Sequence, residues 1–196
     1  MSKLDMRFHP DGVAIIGAST NPSKLGYQIL SNLRKSGYQG GIYPVNPGAT
    51  EILGLKAYSS ILDVPGNVDQ AVIVIPSKAV PAVLEDCGKK GVKGAVVITA
   101  GFRESGADGR ALEAQVLEVA GRYGIRMVGP NCLGLMDMWT PLDTSFAPAM
   151  TSAGYIAFTS QSGALGTAVL DYALENNIGL SRFVSLGNKA DVDEAA

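Results

Sequence analysis

The chain has 196 residues, 46% of them hydrophobic and 17% charged, with a formal net charge of −2 and a pI near 5.4. That length and apolar content can bury a substantial core, in one large domain or in one domain plus part of another. The charge balance provides no basic footprint for nucleic acid, so any attraction for phosphate has to be local.

Residues 13–16, Val-Ala-Ile-Ile, are an apolar run that ends in Gly17. They suit a parallel strand covered on both faces, and the small residues Ala18, Ser19 and Thr20 let a ligand approach the backbone. A helix over 25–38, with Leu25, Ile29, Leu30 and Leu33 on one face and Gly37 at its end, follows Asn21, Pro22, Ser23 and Lys24. Its first turn aims unpaired N–H groups and a positive dipole end at any anion above the turn. The dinucleotide fingerprint G-x-G-x-x-G is nevertheless broken: Ser19 stands where the second glycine belongs, the next glycine is Gly26, and Pro22 stiffens the insertion.

The second strand, 41–45, runs into Asn46 and Pro47 with no acid at its end to hold the ribose of NAD. Residues 46–66 read as a long connection with a short helical turn at 59–62. A buried strand at 69–75 stops at Pro76. Next come a helix over 78–90, ended by Gly91, and a strand over 94–99, followed by Ala100-Gly101-Phe102. A helix over 108–123 and a strand over 126–128 lead into Gly129-Pro130-Asn131-Cys132-Leu133-Gly134. The pattern loosens over 135–152, which suggests an irregular crossing or a hairpin around Trp139. Residues 1–150 are taken as one domain and 151–196 as the incomplete beginning of a second.

Alternation restarts with a strand at 154–159, the turn Ser160-Gln161-Ser162-Gly163, a helix over 164–175 and a strand over 180–186. Residues 188–196 read as the start of a helix, with Asp191 as its cap. Two strands and one helix cannot cover both faces of a sheet, so a partner or further chain is expected to complete this unit, and self-association is possible. The hydroxyls of Ser160 and Ser162 are suited to an oxyanion beside Gly163, or to capping the helix.

Strands and helices alternating throughout predict an α/β fold with a parallel sheet. Cys87 and Cys132 have neither metal-ligand spacing nor a disulfide framework, which fits a reducing cytosol, and no metal site is expected. The N-terminal arm, with Lys3, Asp5, Arg7 and Asp11, lacks the apolar run of a signal peptide, and no stretch approaches the roughly 18 residues of a membrane helix. A soluble cytoplasmic protein is expected, without membrane or nucleic-acid partners.

Five blocks, residues 13–26, 43–47, 98–102, 129–134 and 160–163, together resemble the nucleoside-diphosphate-forming acyl-CoA synthetases, a superfamily that includes ADP-forming acetyl-CoA synthetase and the α subunit of succinyl-CoA synthetase. The resemblance implies a Rossmann-like CoA-binding domain followed by a flavodoxin-like ligase domain. It also implies that Ser19, Thr20, Asn21, Pro22 and Lys24, with Gly17, Leu25 and Gly26, hold the CoA phosphates. Val45, Asn46, Pro47, Ile75 and Pro76 would flank the nucleotide, and Ile98, Thr99 and Ala100 would line the pantetheine arm. Asn131, Ser160, Gln161, Ser162 and Gly163 would face the thioester, where inorganic phosphate attacks the acyl carbon. The resulting acyl phosphate passes its phosphoryl group to a histidine and then to a nucleoside diphosphate, with ADP or ATP and Mg held by an ATP-grasp partner.

Three departures bear on that implication. Gly48 and Ala49 stand where many relatives have a lysine, so a charged contact to CoA worth roughly 1.5–3 kcal/mol is missing unless Lys24 or Lys56 replaces it. Thr167 aligns where the succinyl branch has an aromatic hydroxyl, which disfavours succinate. The single histidine, His9, precedes the first strand and is read as a surface residue, so the phosphoryl carrier is expected outside this chain. Cys132 has no histidine near it in sequence and is read as a buried or pocket-lining thiol. The competing readings are a CoA-binding module without ligase chemistry and an NAD(P)-dependent oxidoreductase domain.

Overall fold

A computed structural model describes residues 8–194. The arm with Lys3, Asp5 and Arg7, and the last two residues of the 188–196 segment, lie outside that range.

Five parallel strands form the first sheet: β1 (Gly12–Ile16), β2 (Gly41–Val45), β5 (Gln70–Ile73), β6 (Gly94–Val97) and β7 (Arg126–Val128), in the order β2-β1-β5-β6-β7. Between β2 and β5 lies a small hairpin of β3 (Glu51–Ile52) and β4 (Leu55–Lys56). Three helices cover the sheet: α1 (Leu25–Lys35), α2 (Val80–Lys90) and α3 (Ala107–Tyr123). The period-2 rule sorts the core. Val13, Ile15, Val72 and Val96 pack with Ile29, Leu30 and Leu33 of α1, whereas Ala14, Ile16, Ala71 and Val97 pack with Leu84 and Val116 of α2 and α3. Pro44 lies on β2, an edge strand, where its missing N–H costs no central ladder bond. The α/β architecture with a parallel sheet is therefore as the sequence pattern predicts.

Helix α1 is shorter than the 25–38 expected from periodicity and stops at Lys35. Helix α2 begins at Val80, after a tight turn over Ser77–Ala79. Both α2 and α3 end at glycines, Gly91 and Gly124, with Lys89, Lys90 and Arg122 in their last turns.

The second unit consists of β8 (Leu135–Asp137), β9 (Leu142–Asp143), β10 (Ala153–Ser160), α4 (Gly163–Glu175) and β11 (Leu180–Ser185). Its sheet runs β10-β11-β8-β9, with β10 parallel to β11 and β8 antiparallel to it. Of the two alternatives for this stretch, an irregular crossing or a hairpin around Trp139, the hairpin forms. Although it precedes the division at 150, its ladder bonds join the later sheet. Two strands and a helix thus become four strands and a helix. Among the described residues no strand pairs with the outer edge of β10, where Tyr155 is 93% exposed and Ile156 54% exposed.

Residues 188–194 do not form the expected helix, and Asp191 caps nothing. Its carboxylate instead accepts from the Met127 N–H (2.6 Å) and from Arg126 Nε (3.0 and 3.1 Å). The backbone of this segment donates from Asn188 to Pro130 O (2.8 Å), from Ala190 to Gly129 O (3.1 Å) and from Val192 to Met127 O (3.2 Å). It is a strap along the free edge of the first sheet, and a helix would have forfeited those long-range bonds.

Gly26, in the first turn of α1, packs directly on the end of β1: a Cβ there would stand 2.0 Å from Gly17 O. Backbone cannot yield that much without moving the whole helix start. Gly26→Ala is expected to destabilise the fold by about 1–3 kcal/mol, read as a lower urea midpoint at unchanged m-value. An unchanged midpoint would contradict this packing.

Candidate functional site

The turn after β1 is held by its own polar groups. Gly17, at φ +93°, donates to Val45 O, a conformation most side chains avoid. Ser19 Oγ accepts from Asn21 N–H (3.1 Å), and Asn21 Oδ1 accepts from Ser23 N–H (2.9 Å). Asn46, at the end of β2, reaches back to donate from Nδ2 to Ala18 O (2.7 Å) and accepts from Gly48 N–H (2.8 Å). Gly48 and Ala49 thus form a tight turn on Asn46, and Lys56 is turned to the Tyr58 ring, 5.3 Å from its centroid. At the N-terminus of α1 the capping position is Lys24, whose side chain makes no cap bond, and the first turn contains no acid. The dipole end there is unneutralised and exposed, with a cation beside it.

Next to this turn is a cavity of about 400 Å³. Gly17, Val45, Asn46, Pro47 and Ile75 all line it, together with Ser59, Ser60, Ile61, Val83 and Asp86, which the sequence reading did not single out. Ser19, Thr20, Asn21, Pro22 and Lys24 stand on the rim of the turn rather than in the cavity wall. Pro76 is exposed and lines neither this cavity nor the next. Gly26 is buried beneath Gly17 and has a packing role instead of a contact surface.

A second cleft of about 610 Å³ separates the two units. Leu25, Ile98, Thr99 and Ala100 of the first unit face Asn131, Gln161, Ser162 and Gly163 across it, with Thr167 further along α4. Residues as distant in sequence as Leu25 and Thr167 therefore share one wall-lined space. Val74, Cys132, Leu133, Phe146 and Ala164 complete the lining. Thr99 is fixed by donating from Oγ1 to Ile75 O (2.7 Å), and the Asn131 backbone N–H donates to Thr99 O (2.9 Å).

The second turn differs in detail from the expectation. Ser160 is buried; its Oγ donates to Ser162 O and accepts from Ser162 N–H, both at 3.1 Å, so it builds the turn and does not face the cleft. Ser162 caps α4, its Oγ accepting from Leu165 N–H (3.2 Å). An accepting hydroxyl keeps its proton to donate. A Cβ on Gly163 would meet nothing nearer than Leu133 Cβ at 3.8 Å, so the start of α4 is open to a ligand. Thr167 Oγ1 donates back to Gly163 O (3.1 Å).

Behind Asn131 lies a polar cluster that no local pattern announces. Asn188 Nδ2 donates to Glu104 (2.6 Å) and to the buried Glu113 (2.9 Å), and its Oδ1 faces Asn131 Nδ2 at 3.4 Å. Burial works to raise the Glu104 carboxyl, but hydrogen bonds from Asn188 and from the Gly101 and Phe102 N–H groups outweigh it and hold the acid below its ordinary value.

Cys132 donates from Sγ to Val97 O (3.3 Å), and burial pushes its thiol up to about 12, so it is no nucleophile near neutral pH. His9 is exposed, 3.5 Å from Arg182, on the second sheet's side of the molecule. Among the described residues no group of His, Cys, Asp and Glu could hold a metal ion, and no helix is long and apolar enough to cross a membrane.

Residues 11–138 match the family model described as CoA binding domain. The chain belongs to that family. Residues 153–196 match a second model, the succinyl-CoA ligase like flavodoxin domain. The chain is 48% identical over 193 residues to the α subunit of acetate–CoA ligase (ADP-forming) II of Pyrococcus furiosus, covering 98% of this chain and 42% of the relative. It is 52% identical over 187 residues to the ADP-forming acetate–CoA ligase of Methanocaldococcus jannaschii, covering 95% of this chain and 26% of the relative. A solved structure of the dinucleotide-forming acetyl-coenzyme A synthetase 1 of Candidatus Korarchaeum cryptofilum, in complex with phosphate and ADP, superposes with a TM-score of 0.94 at 49% identity, over 97% of this chain and 41% of that one. The chain thus spans less than half the length of these relatives.

Asp143, at the end of β9, anchors the loop that carries Phe146 into the cleft. Burial raises its carboxyl from 3.8 to about 6, and the bonds it accepts from Ser145 offset only part of that rise. A raised acid favours folding in its neutral form, so its contribution is complete below pH 4 and is lost as pH rises through 6. Above that, the buried carboxylate costs about 3 kcal/mol. Asp143→Asn is expected to melt above the parent at pH 8, with the gap narrowing towards pH 4. A gap independent of pH would refute the assignment.

Proposed function

We propose that this chain is the CoA-binding portion of an ADP-forming acyl-CoA synthetase. CoA or acyl-CoA lies across the C-terminal edge of the first sheet, its nucleotide in the cavity beside Val45, Asn46, Pro47 and Ile75. Its phosphates meet the uncapped start of α1 and Lys24, and its pantetheine arm passes Leu25, Ile98, Thr99 and Ala100. The thioester then sits between Asn131 and the start of α4, where inorganic phosphate attacks the acyl carbon, the C–S bond breaks, and CoA leaves as its thiolate with an acyl phosphate left behind. Backbone N–H groups of Gly163 and Ala164 and the Ser162 hydroxyl are disposed to stabilise charge there.

The observation that carries this reading is the meeting of two separate polypeptide turns on one cleft, the open start of α4 facing Thr99 and Ala100. Apolar walls with a few convergent polar groups are what a pantetheine thioester requires. In this reading phosphoryl transfer from the acyl phosphate to a nucleoside diphosphate takes place on a histidine and an Mg-dependent ATP-grasp partner outside these residues. The absence of an acid after β2, where Asn46 instead braces Ala18 O, argues against NAD.

Titration with CoA, acetyl-CoA, NAD and ADP in parallel tests the reading. CoA and acetyl-CoA are expected to bind and NAD is not. Ser19→Asp, which places negative charge at the phosphate turn, is expected to weaken CoA by roughly tenfold or more, the equivalent of one charge-assisted contact. Micromolar NAD binding without CoA binding would overturn the proposal.

A further inference from the structure

Phe146 is the side chain that packs against both the core on the α1 side of the first sheet and the core of the second unit, and it also lines the cleft. It sits in the segment whose sequence looked irregular, yet its backbone is fixed on every side. Its own N–H donates to Leu133 O (3.2 Å). Asn32, on α1, donates from one Nδ2 to Ser145 O (3.0 Å) and to Ala147 O (2.9 Å), the carbonyls immediately before and after Phe146. Both partners accept only, so the orientation of the Asn32 amide is determined. From below, Ser145 Oγ donates to Asp143 (2.7 Å) and accepts from Ala147 N–H (3.1 Å).

The backbone on both sides of this half-buried ring is pinned and the ring packs on both cores, so a ligand in the cleft meets it where it stands. It lies beside Leu133, two residues from Asn131 and so next to the proposed thioester end. We propose that Phe146 is the wall that limits acyl size, and that Asn32 is a positioning residue that holds it there. The class selected is thioesters of short, unbranched carboxylic acids, with bulky aryl-acyl groups rejected by the ring. The inference rests on the function proposed above and specifies which acyl group that site takes.

The test uses three ligands that share the CoA moiety: CoA, acetyl-CoA and phenylacetyl-CoA. In the parent protein phenylacetyl-CoA is expected to bind about tenfold or more weaker than acetyl-CoA, within the range a steric pocket imposes. Phe146→Ala is expected to shift the phenylacetyl-to-acetyl affinity ratio by about tenfold towards the larger ligand while CoA itself changes less than about twofold. Phe146→Leu, which keeps the core filled, should shift it part-way and carries the test if the alanine variant does not fold. Asn32→Asp turns a carboxylate towards two carbonyls without altering the cleft wall, and the same direction of shift is expected from it.

An unaltered ratio in all three variants, with CoA still bound, overturns the inference and leaves the proposed function standing. Equal weakening of all three ligands makes the ring merely structural, which also overturns it. If the folded parent binds no CoA, the functional reading itself fails, and this inference with it.

Discussion

The cleft exists because the chain after β11 turns back onto the first sheet. Gly187 is pressed so close to the 130–131 backbone that a Cβ would lie 2.3 Å from Pro130 O, and from there residues 188–192 run along β7. Three backbone bonds and the paired contacts of Asp191 with Arg126 and the Met127 N–H tie the second sheet to the edge of the first. On the opposite side Leu133 N–H donates to Ser185 Oγ (3.0 Å) and Ser185 N–H to Gly134 O (2.9 Å). The segment carrying Asn131 is thereby gripped from two directions. An edge that would otherwise show unpaired backbone groups is covered by the same segment.

That grip has an electrostatic counterpart. A buried carboxylate such as Glu113 is costly unless its oxygens find donors. Here Asn188 supplies one amide to two acids, and Arg103 adds a pair to Glu113 at 3.6 Å. With both of its N–H groups directed at carboxylates, the Asn188 amide must present its oxygen towards Asn131. The strap therefore fixes an orientation as well as a position. Its polar groups come from Glu104 in the turn before α3, from α3 and from the strap itself, three places that a continuous stretch of chain could not bring together.

What the sequence made legible follows from what is periodic. Alternation of Val13 and Ile15 with Ala14 and Ile16 predicts a strand covered on two faces, and Gly91 predicts where α2 stops. Part of each cavity wall was also foreseeable, because turns that follow a parallel strand gather at one edge of the sheet. Features decided by partners far along the chain were not. Residues 135–137 pair with β9 in the local hairpin, but their place in the second sheet is set by β11, some 45 positions later. Asp191 has the chemistry of a helix cap but is committed to Arg126 and Met127. Ser160 has the chemistry of an anion donor, and its neighbour Ser162 uses it up. Asn32 and Asn188 carry no motif at all, since their importance lies in hydrogen bonds spanning 57–115 positions, and Phe146 owes its place to the first of them.

The two turns also differ in how they can hold charge. A helix start contributes only about 0.3–1 kcal/mol to an anion at an exposed site, so neither α1 nor α4 alone accounts for a stable complex with a phosphorylated ligand. At α1 the turn is braced on itself, Ser19 on Asn21 and Asn21 on Ser23, and Lys24 and the first N–H groups of the helix stand exposed beside it. Affinity there has to come from the adjoining apolar cavity, with the charge contacts fixing orientation. At α4 the situation is reversed. The cap is made by Ser162, no acid lies in the first turn, and the helix start faces a cleft of about 610 Å³ walled in part by Ile98, Leu133 and Phe146. Fixed dipoles strengthen as the local dielectric falls. In the function proposed, the same element of structure serves binding at one end of the ligand path and charge stabilisation at the other, and the difference is set by the walls opposite each helix and not by the turns themselves.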